Sequence, residues 1–199
     1  LAVDRGATAL GGLTNPWQEP KGESDLQTEG DALVEGEIRR YLATQTPDIA
    51  FLGEEYGLSR SGSMLRWVLD PVDGTVNYSR GHPLYAISLA LTQGARTLLG
   101  ITHMPRLDER FFTMAGAGTA VNGKRVKVRS QQHLKQSLVC LDDYSPDGEQ
   151  SSLRSAIYKQ MERRSLRVRI HGSATADLCW LSAGITDCVV MLSNRPWDT

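Results

Sequence analysis

Apolar residues recur along this chain with two periods, and the switches between them predict the elements. Val34, Ile38, Tyr41 and Leu42 fall three or four apart, as on one face of a helix, and Pro47 ends the run. Thr28 with Asp31 three residues on predicts the capped start of that helix, so the plain account of Asp31 is an acid at a helix N-terminus. Residues 1–13 carry a weaker helical pattern, and Pro16 and Pro20 predict a loop behind it. Ile49–Leu52, Trp67–Leu69, Tyr85–Thr92, Thr97–Thr102, Arg110–Ala115, Ser137–Leu141 and Asp187–Leu192 read as strands. Asn122-Gly123, set between Ala120-Val121 and Val126-Lys127-Val128, predicts a hairpin. A polar loop is expected over 58–64 and irregular chain over 76–81. An amphipathic helix is expected over 151–163, an edge strand over 166–170 and a helix from Ala174 to Ala183.

A chain of 199 residues, 40% hydrophobic and 23% charged, has the composition of an ordinary globular protein. A net charge of −1 offers no global field for nucleic acid or an anionic membrane, so neither is an expected partner. With no membrane-length apolar run and no signal peptide, the cytoplasm is the expected location. Cys140, Cys179 and Cys188 lack Cys-x-x-Cys spacing and sit among apolar residues, which predicts buried reduced thiols. None of His82, His103, His133 and His171 has a partner at metal-ligand spacing, so each is expected to be structural.

Chemistry concentrates at Trp67-Val68-Leu69-Asp70-Pro71-Val72-Asp73-Gly74-Thr75. An apolar strand stops at Asp-Pro, and the chain then turns through a glycine that lets backbone approach a ligand. Two carboxylates and a hydroxyl gather at a strand end, which is oxygen-only equipment for a hard cation such as Mg²⁺. Asp, Pro and Gly are equally the ordinary residues of a tight turn. A second acidic strand end, Gly53-Glu54-Glu55, lies upstream and is positioned to face the same cleft. Gly118-x-x-x-x-Gly123-Lys124 imitates a phosphate-binding loop, but Arg125 stands where Ser or Thr is needed and no helix follows. At His171-Gly172-Ser173-Ala174, small residues open a helix and fit either anion binding or close packing on a sheet.

Together these stretches resemble the inositol monophosphatase family of Mg²⁺-dependent, lithium-sensitive phosphatases. Trp67 through Tyr78 matches its W-V/I-x-D-P-I/V-D-G-T-x-N-F/Y signature, and Gly53-Glu54-Glu55 its G-E-E. Asp25 through Asp31 matches D-L-V-T-x-x-D with Gln27 at an apolar place, and Gly172 through Leu178 matches G-S-A-A-x-D-L with Thr175 at the second Ala. Trp197-Asp198 matches the C-terminal W-D. The resemblance implies an α+β fold, a layered αβαβα sandwich, and a single domain over 1–199 that lacks its C-terminal part.

It also implies roles. Glu54, Asp70 and the carbonyl of Val72 would hold a first Mg²⁺, and Asp70, Asp73 and Asp198 a second, with a third ion leaning on Glu54. Asp31 and Thr75 would orient and deprotonate the attacking water. Gly74 and Thr75 N–H groups would hold phosphate beside Asp73, with Gly172, Ser173 and Ala174 lining the substrate side. The implied activity is hydrolysis of a small phosphate monoester by a homodimer, inositol monophosphate being the leading substrate. Histidinol phosphate, a sugar phosphate and a nucleotide 3′-phosphate are the alternatives, as is a non-catalytic member that binds metal or a partner. Met191 stands where inositol-specific members carry a Glu, and a thioether bonds sugar hydroxyls poorly. A phosphoaspartate route of the haloacid dehalogenase type is closed, because Pro71 occupies the place of its nucleophilic Asp.

Overall fold

Helices and strands follow in the order α1 (Ala2–Gly11), β1 (Gln18–Pro20), β2 (Leu26–Thr28), α2 (Glu29–Gln45), β3 (Ala50–Gly53), β4 (Gly57–Leu58) and β5 (Leu65–Asp73). Next come α3 (Thr75–Ser79), β6 (Ala86–Gln93), β7 (Arg96–Met104), β8 (Glu109–Met114), β9 (Gly118–Val121) and β10 (Lys124–Val126). The chain continues with β11 (Leu138–Leu141), α4 (Gln150–Arg164), β12 (Arg167–Arg169), α5 (Ala174–Ser182) and β13 (Cys188–Val190). These come from a computed structural model that describes residues 1–13, 18–20, 26–59, 62–131, 133–142, 150–192 and 195–197.

Eight strands form one sheet in the order β10-β9-β8-β7-β6-β5-β3-β4. Every neighbour is antiparallel except β3 and β5, which run parallel. Asn122 and Gly123 both take positive φ, 47° and 79°, and join β9 to β10 by the two-residue turn whose twist suits a hairpin. α1 and α2 cover one face. Val34, Ile38 and Leu42 of α2 pack there against Phe51, Trp67, Leu69, Ile87 and Leu89. α5 covers the other face through Ala176 and Cys179, which meet Ala86, Met104 and Phe111. Beyond α5 lies a small parallel sheet, β12-β11-β13. Its two crossovers run in opposite directions from β11 and β12, and right-handed connections then put α4 and α5 on opposite faces. The layers are α, β, α, β, α, as expected.

Several elements depart from the sequence reading for local reasons. Pro20 lies in a strand rather than a loop, at the end of the short β1–β2 pair. β5 does not stop at Asp70. It runs on to Asp73, with a register shift between Asp70 and Asp73 that absorbs Pro71, which has no N–H to give a ladder. The proline is tolerated because the partner β3 has already ended, at Gly53 opposite Leu69. Residues 75–79, expected to be mostly irregular, wind into α3. α4 forms as predicted, but Leu153 and Tyr158 stay exposed, so its buried stripe is narrower than the pattern implied.

Candidate metal-phosphate site

The parallel pairing of β3 and β5 sets the first part of the site. Gly53 pairs with Leu69, so Glu54 leaves the end of β3 next to the position of Asp70 in β5. Asp70 is buried, and its Oδ1 accepts the Val72 N–H at 3.2 Å across Pro71. Both residues bring carboxylate oxygens, so the donors at these strand ends are hard. The residues present therefore fit a divalent cation of the Mg²⁺ kind.

Behind Glu54 stands a residue the sequence reading missed. Glu35 of α2 is wholly buried and accepts the backbone N–H groups of Glu55 at 2.8 Å and Tyr56 at 3.1 Å. A Cβ at Gly53 would collide with the Glu35 carboxylate, so glycine is required there by the acid behind it. Burial pushes the Glu35 carboxyl up, against the pull of those two N–H groups and of Arg39. One turn further along α2, Arg39 donates to the Gly57 carbonyl at 2.7 Å. Asp31, Glu35 and Arg39 thus form an i, i+4, i+8 row on one helix face, Asp31 facing Thr75 and the other two holding the turn at 55–57. That spacing was the available signal.

Asp31 divides its oxygens. Oδ2 accepts from Thr28 N–H at 2.8 Å and Thr28 Oγ1 at 2.6 Å, closing the capping box of α2. Oδ1 lies 3.4 Å from Thr75 Oγ1, which also reaches the Val72 carbonyl at 2.9 Å. The cap reading of Asp31 thus accounts for Oδ2, while Oδ1 faces Thr75. Tyr78 holds this junction from the side. It packs edge-on to Tyr85 at 5.1 Å, and its ring would stand 2.8 Å from a Cβ on Gly30. Burial pushes the Tyr78 hydroxyl up to about 12.

Gly74 links the two halves of the site. Its φ is +87°, and a Cβ would come within 2.9 Å of the Gly172 carbonyl and 3.1 Å of the Leu84 carbonyl. Asn77, also missed as a site residue, donates from Nδ2 to the Leu84 and His171 carbonyls, both at 2.7 Å. Asp73 points into the start of α5, accepting from Ser173 Oγ at 2.5 Å, Thr175 N–H at 2.8 Å and Ala174 N–H at 3.3 Å. Ser173 Oγ in turn accepts the Ala176 N–H as the cap of α5. Ser173 and Ala174 therefore meet Asp73 directly, while Gly172 abuts Gly74. Asp198 lies outside the described residues, as do Asp25 and Thr199. Met191 follows β13 and is half-buried.

A layered sheet that delivers acidic strand ends and a hydroxyl to one edge, with two helices converging on them, is the architecture of a metal-assisted phosphatase. Within that class the chain belongs to the inositol monophosphatase family, whose model matches residues 7–199. It is 35% identical over 180 residues to a fructose-1,6-bisphosphatase/inositol-1-monophosphatase of Aquifex aeolicus, covering 90% of this chain and 68% of the relative. A protein of the same description from Thermotoga maritima is 31% identical, with 88% of this chain and 64% of the relative covered. Among solved structures, the extragenic suppressor protein suhB of Bartonella henselae superposes with a TM-score of 0.92 at 27% identity, covering 100% of this chain and 78% of that one. The chain thus spans about two thirds of the length of these curated relatives. Members of the family are phosphatases and depend on metal.

Proposed function

We propose that this chain hydrolyses a small phosphate monoester in a Mg²⁺-dependent reaction, with inositol monophosphate the leading substrate. The observation that supports the reading is the parallel pairing of Gly53 with Leu69, which sets Glu54 and Asp70 at neighbouring positions of adjacent chain segments, together with the contact of Asp31 and Thr75. Glu54, Asp70 and the Val72 carbonyl would hold one ion, and Asp70, Asp73 and Asp198 another. Two or three ions neutralise phosphoryl oxygens and acidify a water in sites of this kind. Thr75 Oγ1 orients the attacking water, and Asp31, whose Oδ1 lies 3.4 Å from that hydroxyl, takes up its proton. The N–H groups of Gly74 and Thr75 hold phosphate oxygens. Ser173, Ala174 and Gly172 act on the substrate side by fixing Asp73 and Gly74 in place. Phosphoryl transfer needs positioning and charge neutralisation more than a protein nucleophile, and this set supplies both.

A sugar phosphate is the second reading. It is supported by Met191 in place of the inositol-type Glu and by the fructose-1,6-bisphosphatase part of the relatives' descriptions. The reading also includes a single domain over residues 1–199, a homodimer and a cytoplasmic location. No described helix is long and apolar enough to cross a membrane. The test is phosphate release from a panel of monoesters in Mg²⁺, ranked by kcat/KM. Inositol monophosphate at the head supports the leading substrate, a sugar phosphate at the head supports the second, and no release from any of them defeats both.

A further inference from the structure

Beneath the loop that meets Gly74, three side chains from distant parts of the sequence converge. Cys140 comes from β11, His171 from the segment after β12, and Asp177 from the first turn of α5. His171 Nδ1 lies 2.6 Å from Asp177 Oδ1 and 3.9 Å from Cys140 Sγ, and one ligand atom from each residue falls within 4.8 Å of the others. Cys140 and Asp177 are buried, and His171 alone reaches solvent. The Thr186 hydroxyl is also buried and lies beside Cys140. Trp180 packs edge-on against His171 at 5.2 Å and fixes the plane of the ring. The sequence showed none of this, because 31 residues separate Cys140 from His171. Cys140 is therefore not in the wholly apolar setting expected of it.

We infer that Cys140, His171 and Asp177 form a zinc site separate from the acidic strand ends, one that braces the loop carrying Gly172 and Ser173. The donor set decides the metal. Thiolate, imidazole and carboxylate suit Zn²⁺, whereas the all-oxygen set of Glu54 and Asp70 suits Mg²⁺. Charge agrees, since a divalent ion with one thiolate, one carboxylate and a neutral imidazole leaves no net charge to bury. Ligand atoms around a tetrahedral zinc stand about 3.3–3.8 Å apart, so the thiol contact is already near its place. The His171–Asp177 contact opens when the metal replaces the shared proton. On binding, the Sγ–H bond breaks and its proton leaves to solvent. The hydrogen at Nδ1 is released to solvent and Nε2 takes one up, so the imidazole stays neutral, Nδ1 is free for the metal, and the net release is the one thiol proton. No oxidant or reductant is needed.

The cluster reaches the phosphatase site through backbone. The His171 carbonyl accepts from Asn77, and the Gly172 carbonyl abuts Gly74. Titration of the 199-residue protein with Co²⁺ as a probe, in excess Mg²⁺, tests the inference. The expected result is a thiolate-to-cobalt absorption band that Zn²⁺ abolishes. Cys140→Ser should lose the band, and His171→Gln should weaken binding on the order of 100-fold. Cys188→Ser should leave both unchanged. His171 is only part-buried, so its variant carries the test if Cys140→Ser does not fold. No band in the wild type, or a band that survives Cys140→Ser, overturns the site. Mg²⁺-dependent phosphate release is measured separately, so failure of either reading shows without the other.

Discussion

α2 and α5 approach the same strand end from opposite faces of the large sheet, and they equip it differently. α2 satisfies its own first turn through the Thr28–Asp31 box, which leaves one carboxylate oxygen to face Thr75. α5 caps its Ala176 N–H with its own Ser173 but gives the Ala174 and Thr175 N–H groups to a carboxylate from another element, so Asp73 enters its first turn. One helix turns its own acid toward Thr75, and the other offers N–H donors to an acid from β5. A carboxylate at a helix N-terminus is held in its charged form by N–H groups and dipole alike, which suits a metal ligand. The difference teaches that the same local feature, a helix start, serves opposite chemistry depending on which side contributes the acid.

Substitutions can break this contrast, beginning with the largest effect. Asp70→Asn and Asp73→Asn should each lower kcat/KM about 1,000-fold or more by removing a charge that the proposed ions need. Asp73→Asn should also lower stability by about 1–3 kcal/mol, because its amide faces donors of α5. Urea unfolding of the two variants checks that asymmetry. On the α2 side, Thr75→Val should lower kcat on the order of 100-fold with KM little changed, and Thr75→Ser should restore most of it. Equal rates for Thr75→Val and wild type would remove the hydroxyl from the reaction.

Glu35→Gln comes next. Its amide cannot accept two N–H bonds as the carboxylate does, so the turn bearing Glu54 loosens, costing about 1–3 kcal/mol. The half-saturating Mg²⁺ concentration should rise while the KM for substrate holds. The pH dependence has a definite sign. Burial raises the folded carboxyl above its ordinary value of 4.5, so the protonated form favours the fold. That contribution is complete below 4.5 and declines as pH rises through the folded value, and Glu35→Gln should flatten this part of the Tm–pH profile. The smallest effect belongs to Ser173→Ala, which removes the α5 cap and one donor to Asp73 for about 1 kcal/mol. Separately, burial pushes the Cys140 and Cys179 thiols up to about 12, so at pH 8 neither should react with an alkylating reagent until the protein unfolds.

Most strands and both site-bearing helices were legible in the sequence, since alternation, the Asn122-Gly123 turn and the Thr28–Asp31 box are local signals. What escaped depended on a partner. Pro71 marks a strand end only if a neighbour needs its N–H, and β3 has already stopped there. Glu35 looked like an ordinary helix acid, because nothing local says that its carboxylate lies under Gly53. Asn77 sat inside the recognised signature with no role until the fold carried the His171 carbonyl to it. The acidic residues of the site were visible as types at strand ends. How their oxygens are shared, Asp31 between cap and Thr75 and Asp73 with α5, is a property of packing.

The most direct test is the rate of phosphate release from inositol monophosphate by the wild-type protein as Mg²⁺ is titrated from zero. The account predicts no release without the ion, a saturable rise with it, and loss of that rise in Asp70→Asn. Release that ignores Mg²⁺, or that Asp70→Asn leaves intact, would contradict it.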